Sequence, residues 1–253
     1  MKLLRDIRLL FGRQMVTTLR NPVWVIMGLF QPVCWLLLFA PLLDALKGMP
    51  GFPEGGGLSA FTPGILITLG MTSAAFVGFG LINDLRSGLF DRLRVTPVHR
   101  FALLISGILR DIVVMLVQVV LLMLVAWPLG LRTSLGGVLA VMALLVLLSV
   151  LMSACSYTLA LLFRDENALA STIQFFALPL TLLSGVMLPL TFAPGWLRAL
   201  AAANPFSHAV DAARALMSGH PSDGSVLRGF VFVGLLAALT LWWAERSFRR
   251  TAL

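Results

Sequence analysis

VLAVMALLVLLSVLMSACSYTLALLF, residues 138–163, contains no Asp, Glu, Lys, Arg or His. A helix needs roughly 20 apolar residues to cross a hydrocarbon layer about 30 Å thick, and this run supplies them without interruption. Inside such a layer every backbone N–H and C=O must be satisfied by the chain itself, which makes the run an α-helix. Five further windows of the same character accompany it: Val23–Leu46, broken only by Gln31 and Asp44, Ala60–Ile82, Ile112–Leu131, Ala168–Leu190 and Gly229–Ala244. The predicted fold is all-α: a polytopic membrane protein of six transmembrane helices, forming a single transmembrane domain over residues 1–253.

Composition agrees with this reading. Of the 253 residues, 59% are hydrophobic and only 12% are charged, about half the charge of an ordinary soluble domain. A mean hydropathy of +0.96 excludes a water-soluble globular protein, and disordered chains are poor in apolar residues. The formal charge of +8 is not a nucleic-acid footprint here, because basic residues in a membrane chain first report orientation. With six spans, the side facing the termini holds Lys2, Arg5, Arg8, Arg13, Arg20, Arg86, Arg92, Arg94, Arg100, Arg110, Arg164, Arg246, Arg249 and Arg250. The opposite side holds only Lys47, Arg132, Arg198, Arg214 and Arg228. The asymmetry predicts that both termini are cytoplasmic.

Three segments depart from a plain bundle. In residues 1–21, Leu3, Leu4, Ile7, Leu10, Phe11, Met15, Val16 and Leu19 recur every three to four positions, with Lys2, Arg5, Asp6, Arg8, Arg13 and Arg20 mostly on the other faces. Charges that continue through Arg20 do not fit a secretory signal. The pattern predicts an amphipathic helix in the cytoplasmic interface, either anchoring the chain or docking a partner. Asn21-Pro22 ends it. Between the second and third windows, residues 84–97 are dense in charge, yet Leu85, Leu89, Phe90 and Leu93 keep helical spacing. This predicts a short amphipathic helix stopped before Pro97, and its glycine and two-signed charge suit a protein contact. The third segment, 187–219, is punctuated by Pro189, Pro194 and Pro205. It predicts two short re-entrant helices at the outer leaflet. The first, Gly195–Ala203, carries Trp196 as an interfacial anchor. The second is capped by Asn204, has Pro205 in its first turn, and pairs Asp211 with Arg214 on one face.

In the second window Gly70, Ala74 and Gly78 stand four apart, a spacing that lets two helices approach closely. The spans carry almost no internal charge, Asp44, Asp84 and Asp111 being expected near span ends. Gln31, Gln118 and Gln174 are read as interhelical hydrogen-bonding groups.

Several chemistries find no support. There is no G-x-x-x-x-G-K-[ST] loop, so the chain does not hold ATP in that way. His99, His208 and His220 are isolated, and Cys34 and Cys155 lie in separate apolar runs, which gives no metal or disulfide framework. Ser184-Gly185 follows Leu182-Leu183 and so fails as an intramembrane protease nucleophile. No catalytic, metal or cofactor residues are predicted.

Two runs then carry a resemblance. Residues 84–100, DLRSGLFDRLRVTPVHR, resemble the coupling segment of ABC-2 type transporter permeases, in particular the daunorubicin-resistance class. Ser184-Gly185-Val186-Met187-Leu188-Pro189, then Ala193-Pro194-Gly195-Trp196-Leu197, then residues 204–216, NPFSHAVDAARAL, look like that family's signature after the fifth span.

The resemblance implies the membrane half of an ABC exporter in a bacterial-type inner (plasma) membrane, a non-catalytic subunit. It implies a second permease copy or a sister permease, surrounding membrane lipid, and a cytoplasmic pair of ATPase subunits that carry Mg-ATP. Asp84, Leu85, Arg86, Gly88, Leu89, Phe90, Asp91, Arg92, Leu93, Arg94 and Pro97 would couple to that ATPase, together with the N-terminal helix. Pro189, Pro194, Trp196, Asn204, Pro205, Asp211 and Arg214 would shape the outer exit. The cargo would be amphiphilic or lipophilic: a drug, a lipid or a lipid-linked saccharide. Met71, Phe76, Phe79, Phe175 and Phe176 are candidates to line its path, although ordinary helix packing is the favoured account of each one. An ion-gradient-driven secondary carrier and a membrane scaffold that recruits an enzyme are the alternatives.

Overall fold

The computed structural model describes residues 2–21, 23–45, 57–86, 100–131, 133–186 and 194–251. These form ten α-helices and no strand: α1 Lys2–Arg20, α2 Val23–Ala45, α3 Gly57–Ala75, α4 Gly78–Arg86, α5 Arg100–Ala126, α6 Leu135–Phe163, α7 Glu166–Leu182, α8 Gly195–Ala202, α9 Pro205–Met217 and α10 Gly224–Thr251. Four stretches are long and apolar enough to cross a membrane: Phe61–Arg86, Ala102–Ala126, Leu135–Phe163 and Gly224–Phe248. A fifth arises if Leu4–Arg20 and Val25–Phe39, bent by 64°, count as one. The chain is a multi-pass membrane protein.

The central helix is α6, against which α3, α4, α5, α7, α9 and α10 all pack. Its start is fixed by Ser134, whose hydroxyl accepts from the Gly137 amide at 3.0 Å. Its end is fixed by Arg164 in the left-handed region at φ 52°, whose N–H donates to the Ala160 carbonyl. Asp165 immediately caps α7, accepting from the Ala168 amide at 2.9 Å, with Glu166 in the first turn. Two residues therefore reverse the chain between α6 and α7.

Two buried clusters divide the bundle along α6. One gathers Ile65, Leu66 and Leu69 of α3, Leu144, Leu145 and Leu148 of α6, and Phe206, Val210 and Leu216 of α9. The other gathers Leu81 and Ile82 of α4, Leu104 and Ile108 of α5, Tyr157 and Leu161 of α6, and Leu169 of α7. By contrast α10 presents Leu227, Val231, Leu235, Leu239 and Trp242 outward at helical spacing, and only 17% of its apolar window is buried. In a soluble fold that stripe would be costly, whereas against lipid tails it is at home.

Four of the predicted windows differ from the helices observed. The third window begins at Ile112 in the sequence reading, but α5 begins at Arg100 and stops at Ala126, short of Leu131. Arg110 and Asp111 are thus inside a span helix, where the sequence reading put Arg110 in a cytoplasmic loop and Asp111 near a span end. They neutralise one another by direct hydrogen bonds. The second window is one candidate span made of two helices, broken at Phe76-Val77. The fifth window extends to Leu190 in the sequence reading, but α7 ends at Leu182, too short for a span by length alone. The sixth, α10, extends beyond Gly229–Ala244 at both ends.

The small-residue stripe packs as its spacing predicts. A Cβ at Gly70 would meet Leu145 at 3.0 Å and one at Gly78 would meet the Ser156 carbonyl at 2.7 Å, both on α6. Gln118 donates to the Val25 carbonyl of α2 at 2.9 Å, the interhelical bond expected of it. Gln31 and Gln174 lie instead on exposed faces.

Candidate functional site

Two polar constellations interrupt the apolar bundle. The first lies where α7 ends. Its last carbonyls have no further helical turn to donate to them, and among apolar helices they require protein partners. Helix α9 provides these. Asn204 caps α9 by accepting from the Phe206 amide at 3.0 Å, while its Nδ2 donates to the Leu180 carbonyl at 2.8 Å. One turn from the far end of α9, the Arg214 guanidinium donates to the Gly185 carbonyl at 2.6 Å and reaches that of Val186 at 3.5 Å. Cationic charge at a helix C-terminus is favourable on its own account. Asp211 pairs with Arg214 at 3.9 Å, as the three-residue spacing predicts.

Although α9 is a short helix, it is buried on most sides. Phe206, Ser207, Ala209, Val210, Ala212, Ala213, Leu216 and Met217 are all inside. Glycine on the neighbouring spans makes room for it. A Cβ at Gly229 of α10 would meet Ala212 at 2.6 Å, and one at Gly137 of α6 would strike the Leu216 carbonyl. His208 is half-buried: its ring lies 4.7 Å from that of Phe232, and Nε2 lies 2.9 Å from the Ala202 carbonyl. Helix α8 is different, with Pro194 at its N-cap position without a side-chain bond and Trp196 67% exposed. Pro189 lies outside the described residues. Beyond α9, Asp223 accepts from the Ser225 amide at 2.9 Å, and the Ser225 bonds hold its carboxyl below the ordinary range.

The second constellation lies at the other end of α6. Asp111 of α5 is buried, and both its oxygens are occupied. Oδ1 accepts from Arg110 Nε at 2.9 Å and Nη2 at 2.6 Å, and Oδ2 accepts from the Tyr157 hydroxyl at 3.1 Å. Gly107, one turn earlier on α5, leaves the space that the Tyr157 hydroxyl fills. Asp84 of α4 is electrostatically coupled to Arg13 of α1 and to Arg110. Helices α1, α4, α5 and α6 therefore meet around one set of opposed charges. Arg86, at the tip of α4, reaches Asp165 and Glu166 at 3.4 Å each.

Of the predicted coupling residues, Asp84, Leu85 and Arg86 form the last turn of α4. Gly88, Leu89, Phe90, Asp91, Arg92, Leu93, Arg94 and Pro97 lie outside the described residues. The candidate path residues are not brought together as one set. Met71 is buried in the core, Phe76 and Phe79 stack at 5.7 Å beside the helix break, and Phe175 and Phe176 are exposed on α7 with centroids 5.2 Å apart. The sequence reading missed Ser156, Tyr157, the Arg110–Asp111 pair and Gly107, all of which act through contacts between distant segments. The one local signal was the spacing of Gly107 and Asp111 on one face of a helix.

Comparison with known proteins agrees with this architecture. A transport permease of Cyanophora paradoxa, ycf38, is 30% identical over 217 residues, covering 85% of this chain and 75% of the relative. The daunorubicin resistance ABC transporter permease protein DrrB1 of Streptomyces coeruleorubidus is 27% identical over 230 residues, covering 90% and 78%. The doxorubicin resistance ABC transporter permease protein DrrC of Mycobacterium tuberculosis is 27% identical over 204 residues, covering 80% and 73%. Residues 5–218, from the first turns of α1 to the end of α9, match the description ABC-2 type transporter. That interval contains both constellations, and the chain belongs to the ABC-2 type transporter family.

Proposed function

We propose that this protein is the permease subunit of an ATP-driven exporter, energised by a separate pair of ATPase subunits that bind Mg-ATP. The observation that carries the proposal is the family match across residues 5–218, in a chain without a phosphate-binding loop of its own. A second copy or a sister permease completes the path. Helices α2 and α7 act as the first and fifth of six spans, and both termini are cytoplasmic, in keeping with the distribution of Lys and Arg. Residues 84–97 and α1 dock the ATPase, and the α7–α9 junction borders the outer exit.

The cargo is amphiphilic or lipophilic. Two relatives are named for resistance to daunorubicin and doxorubicin, which are planar amphiphiles. The exposed pair Phe175/Phe176, and Phe76 where it stands exposed beside the half-buried Phe79, offer such molecules stacking surfaces.

The test is a pull-down of the tagged chain in mild detergent, with mass analysis and a vanadate-sensitive ATPase assay of the eluate. The expected result is a co-purifying Walker-motif subunit whose coupled activity is lost on replacing Gly88 by Trp or Asp91 by Lys. Unchanged transport and partner binding in both variants would overturn the assignment of 84–97.

One observation favours a second reading, an ion-gradient-driven carrier. Asp111 is an ionisable group within a span, and such groups often serve proton relays. Its two oxygens are both engaged by protein donors, which suits a structural clamp better than a relay. Flux driven by a proton gradient in liposomes holding this chain alone would support the carrier, and its absence would remove it.

A further inference from the structure

The second span is interrupted at Phe76-Val77, and the backbone groups released there show how it is held. In an unbroken helix the Gly78 amide would donate to Ala74, the Phe79 amide to Ala75 and the Gly80 amide to Phe76. Here Phe79 donates to Phe76 at 3.2 Å and Gly80 to Val77 at 3.1 Å, a tightened pattern typical of hinges. The Gly78 amide and the Ala75 carbonyl are left over, and a single side chain takes both. The Ser156 hydroxyl of α6 accepts from Gly78 at 2.9 Å and donates to the Ala75 carbonyl. Ser156 is itself 3% exposed, so water does not compete for these bonds.

The approach that permits this is close. A Cβ at Gly78 would meet the Ser156 carbonyl at 2.7 Å, its Oγ at 2.8 Å and Leu169 at 2.9 Å. Glycine is thus the residue that lets α4 sit against α6 and α7 together. The two ends of α4 are held very differently. Its root has two buried hydrogen bonds in apolar surroundings, where such bonds are strong. Its tip is held by charge: Asp84 faces Arg13 and Arg110, and Arg86 makes exposed ion pairs at 3.4 Å that are weak individually. A helix break pinned by one buried hydroxyl, with charge contacts at the far end, is the arrangement of a lever.

We propose that the Phe76-Val77 break is a hinge and that Ser156 is its positioning residue, holding α4 at one angle to α6 until the cytoplasmic segment beyond Arg86 is driven. This rests on the exporter reading, because it needs a cytoplasmic partner to move α4. Release of the charge contacts of Asp84 and Arg86 frees the tip, while the Ser156 hydroxyl keeps the root in place. Motion of residues 84–86 is thereby turned into a change of angle at the level of Phe76 and Phe79.

The test uses the full chain with its ATPase partner in proteoliposomes. For S156A the expected result is a fall of about fivefold or more in transport per ATP hydrolysed, with the KM for ATP unchanged and with S156T restoring the ratio. A wild-type ratio in S156A would overturn the proposal. Hydrogen exchange on the full chain in nanodiscs gives a readout independent of any partner. Exchange across residues 74–80 should rise about tenfold in S156A while residues 141–151 stay protected, and unchanged exchange would overturn the proposal. If no ATPase partner co-purifies, the exporter reading fails while this exchange result still judges the hinge. Should S156A fail to assemble, the wild-type complex decides. ATP with vanadate must alter exchange at residues 76–80, and no change there would overturn the proposal.

Discussion

The Arg214 guanidinium donates to the Gly185 carbonyl at 2.6 Å, joining residues 29 positions apart and closing the end of α7 with a side chain from α9. The bond substitutes for a helical turn that the chain does not make.

Replacing Arg214 by Ala leaves those carbonyls unpaired at a buried junction, and the expected loss of stability is about 1–3 kcal/mol. Arg214→Lys should recover only part, because a single ammonium does not reproduce the planar fork of donors. Thermal unfolding in nanodiscs, followed by loss of helical signal, measures both. Equal midpoints for wild type and Arg214→Ala would contradict the role given to this bond.

Asp111→Ala removes the partner of both Arg110 and Tyr157. Breaking a buried ion pair from one side costs about 3–5 kcal/mol. Tyr157→Phe deletes one hydrogen bond and should cost nearer 1 kcal/mol. The double variant should cost less than the sum, since both changes act on one carboxylate. Additive losses in thermal unfolding would mean that the Tyr157–Asp111 hydrogen bond contributes no stability.

Gly107→Ala places a methyl group where the Tyr157 hydroxyl sits. Overpacking of this kind costs about 1–3 kcal/mol. Combining it with Tyr157→Phe should relieve part of the loss, and chemical denaturation of the two variants and the pair reads the rescue. Gly136→Ala, where an added Cβ meets open space, serves as the control and should leave stability unchanged.

Asp223 is held below the ordinary carboxylate range by the bonds from Ser225. A depressed folded pKa contributes stability that is present above the unfolded pKa and lost as the pH falls through the folded value. The window therefore opens below about pH 4, the ordinary Asp value. Asp223→Asn should lower the unfolding midpoint at neutral pH and flatten its acid limb, the two proteins converging as the carboxyl of the wild type is protonated. A variant whose curve parallels wild type below pH 4 would refute this.

What the sequence made legible was local. Asn204-Pro205 announced its helix start because capping and first-turn preferences act within three residues, and Asp211 with Arg214 followed from helical spacing. Gly70, Ala74 and Gly78 announced a close helix contact. The main partner of Arg214 was not legible, since the Gly185 carbonyl comes from a distant segment. The Arg110–Asp111 pair misled the placement of the third span. Two charges in a hydropathy scan look like a boundary, whereas in space they cancel and a tyrosine from α6 completes them. The break at Phe76-Val77 was likewise hidden, having no proline beside it, while Pro63 sits inside α3 without ending it.

The burial of α9 has a consequence for how the molecule is made. Its partners lie both earlier in the chain, at Gly137 and Gly185, and later, at Gly229. In a chain emerging from the ribosome, Asn204 and Arg214 can meet the carbonyls of Leu180 and Gly185 as soon as α9 is made. The side of α9 at Ala212, however, stays uncovered until α10 arrives with Gly229. An assembly intermediate cut short before Gly224 would therefore present quality-control proteases with a helix seated on one side only.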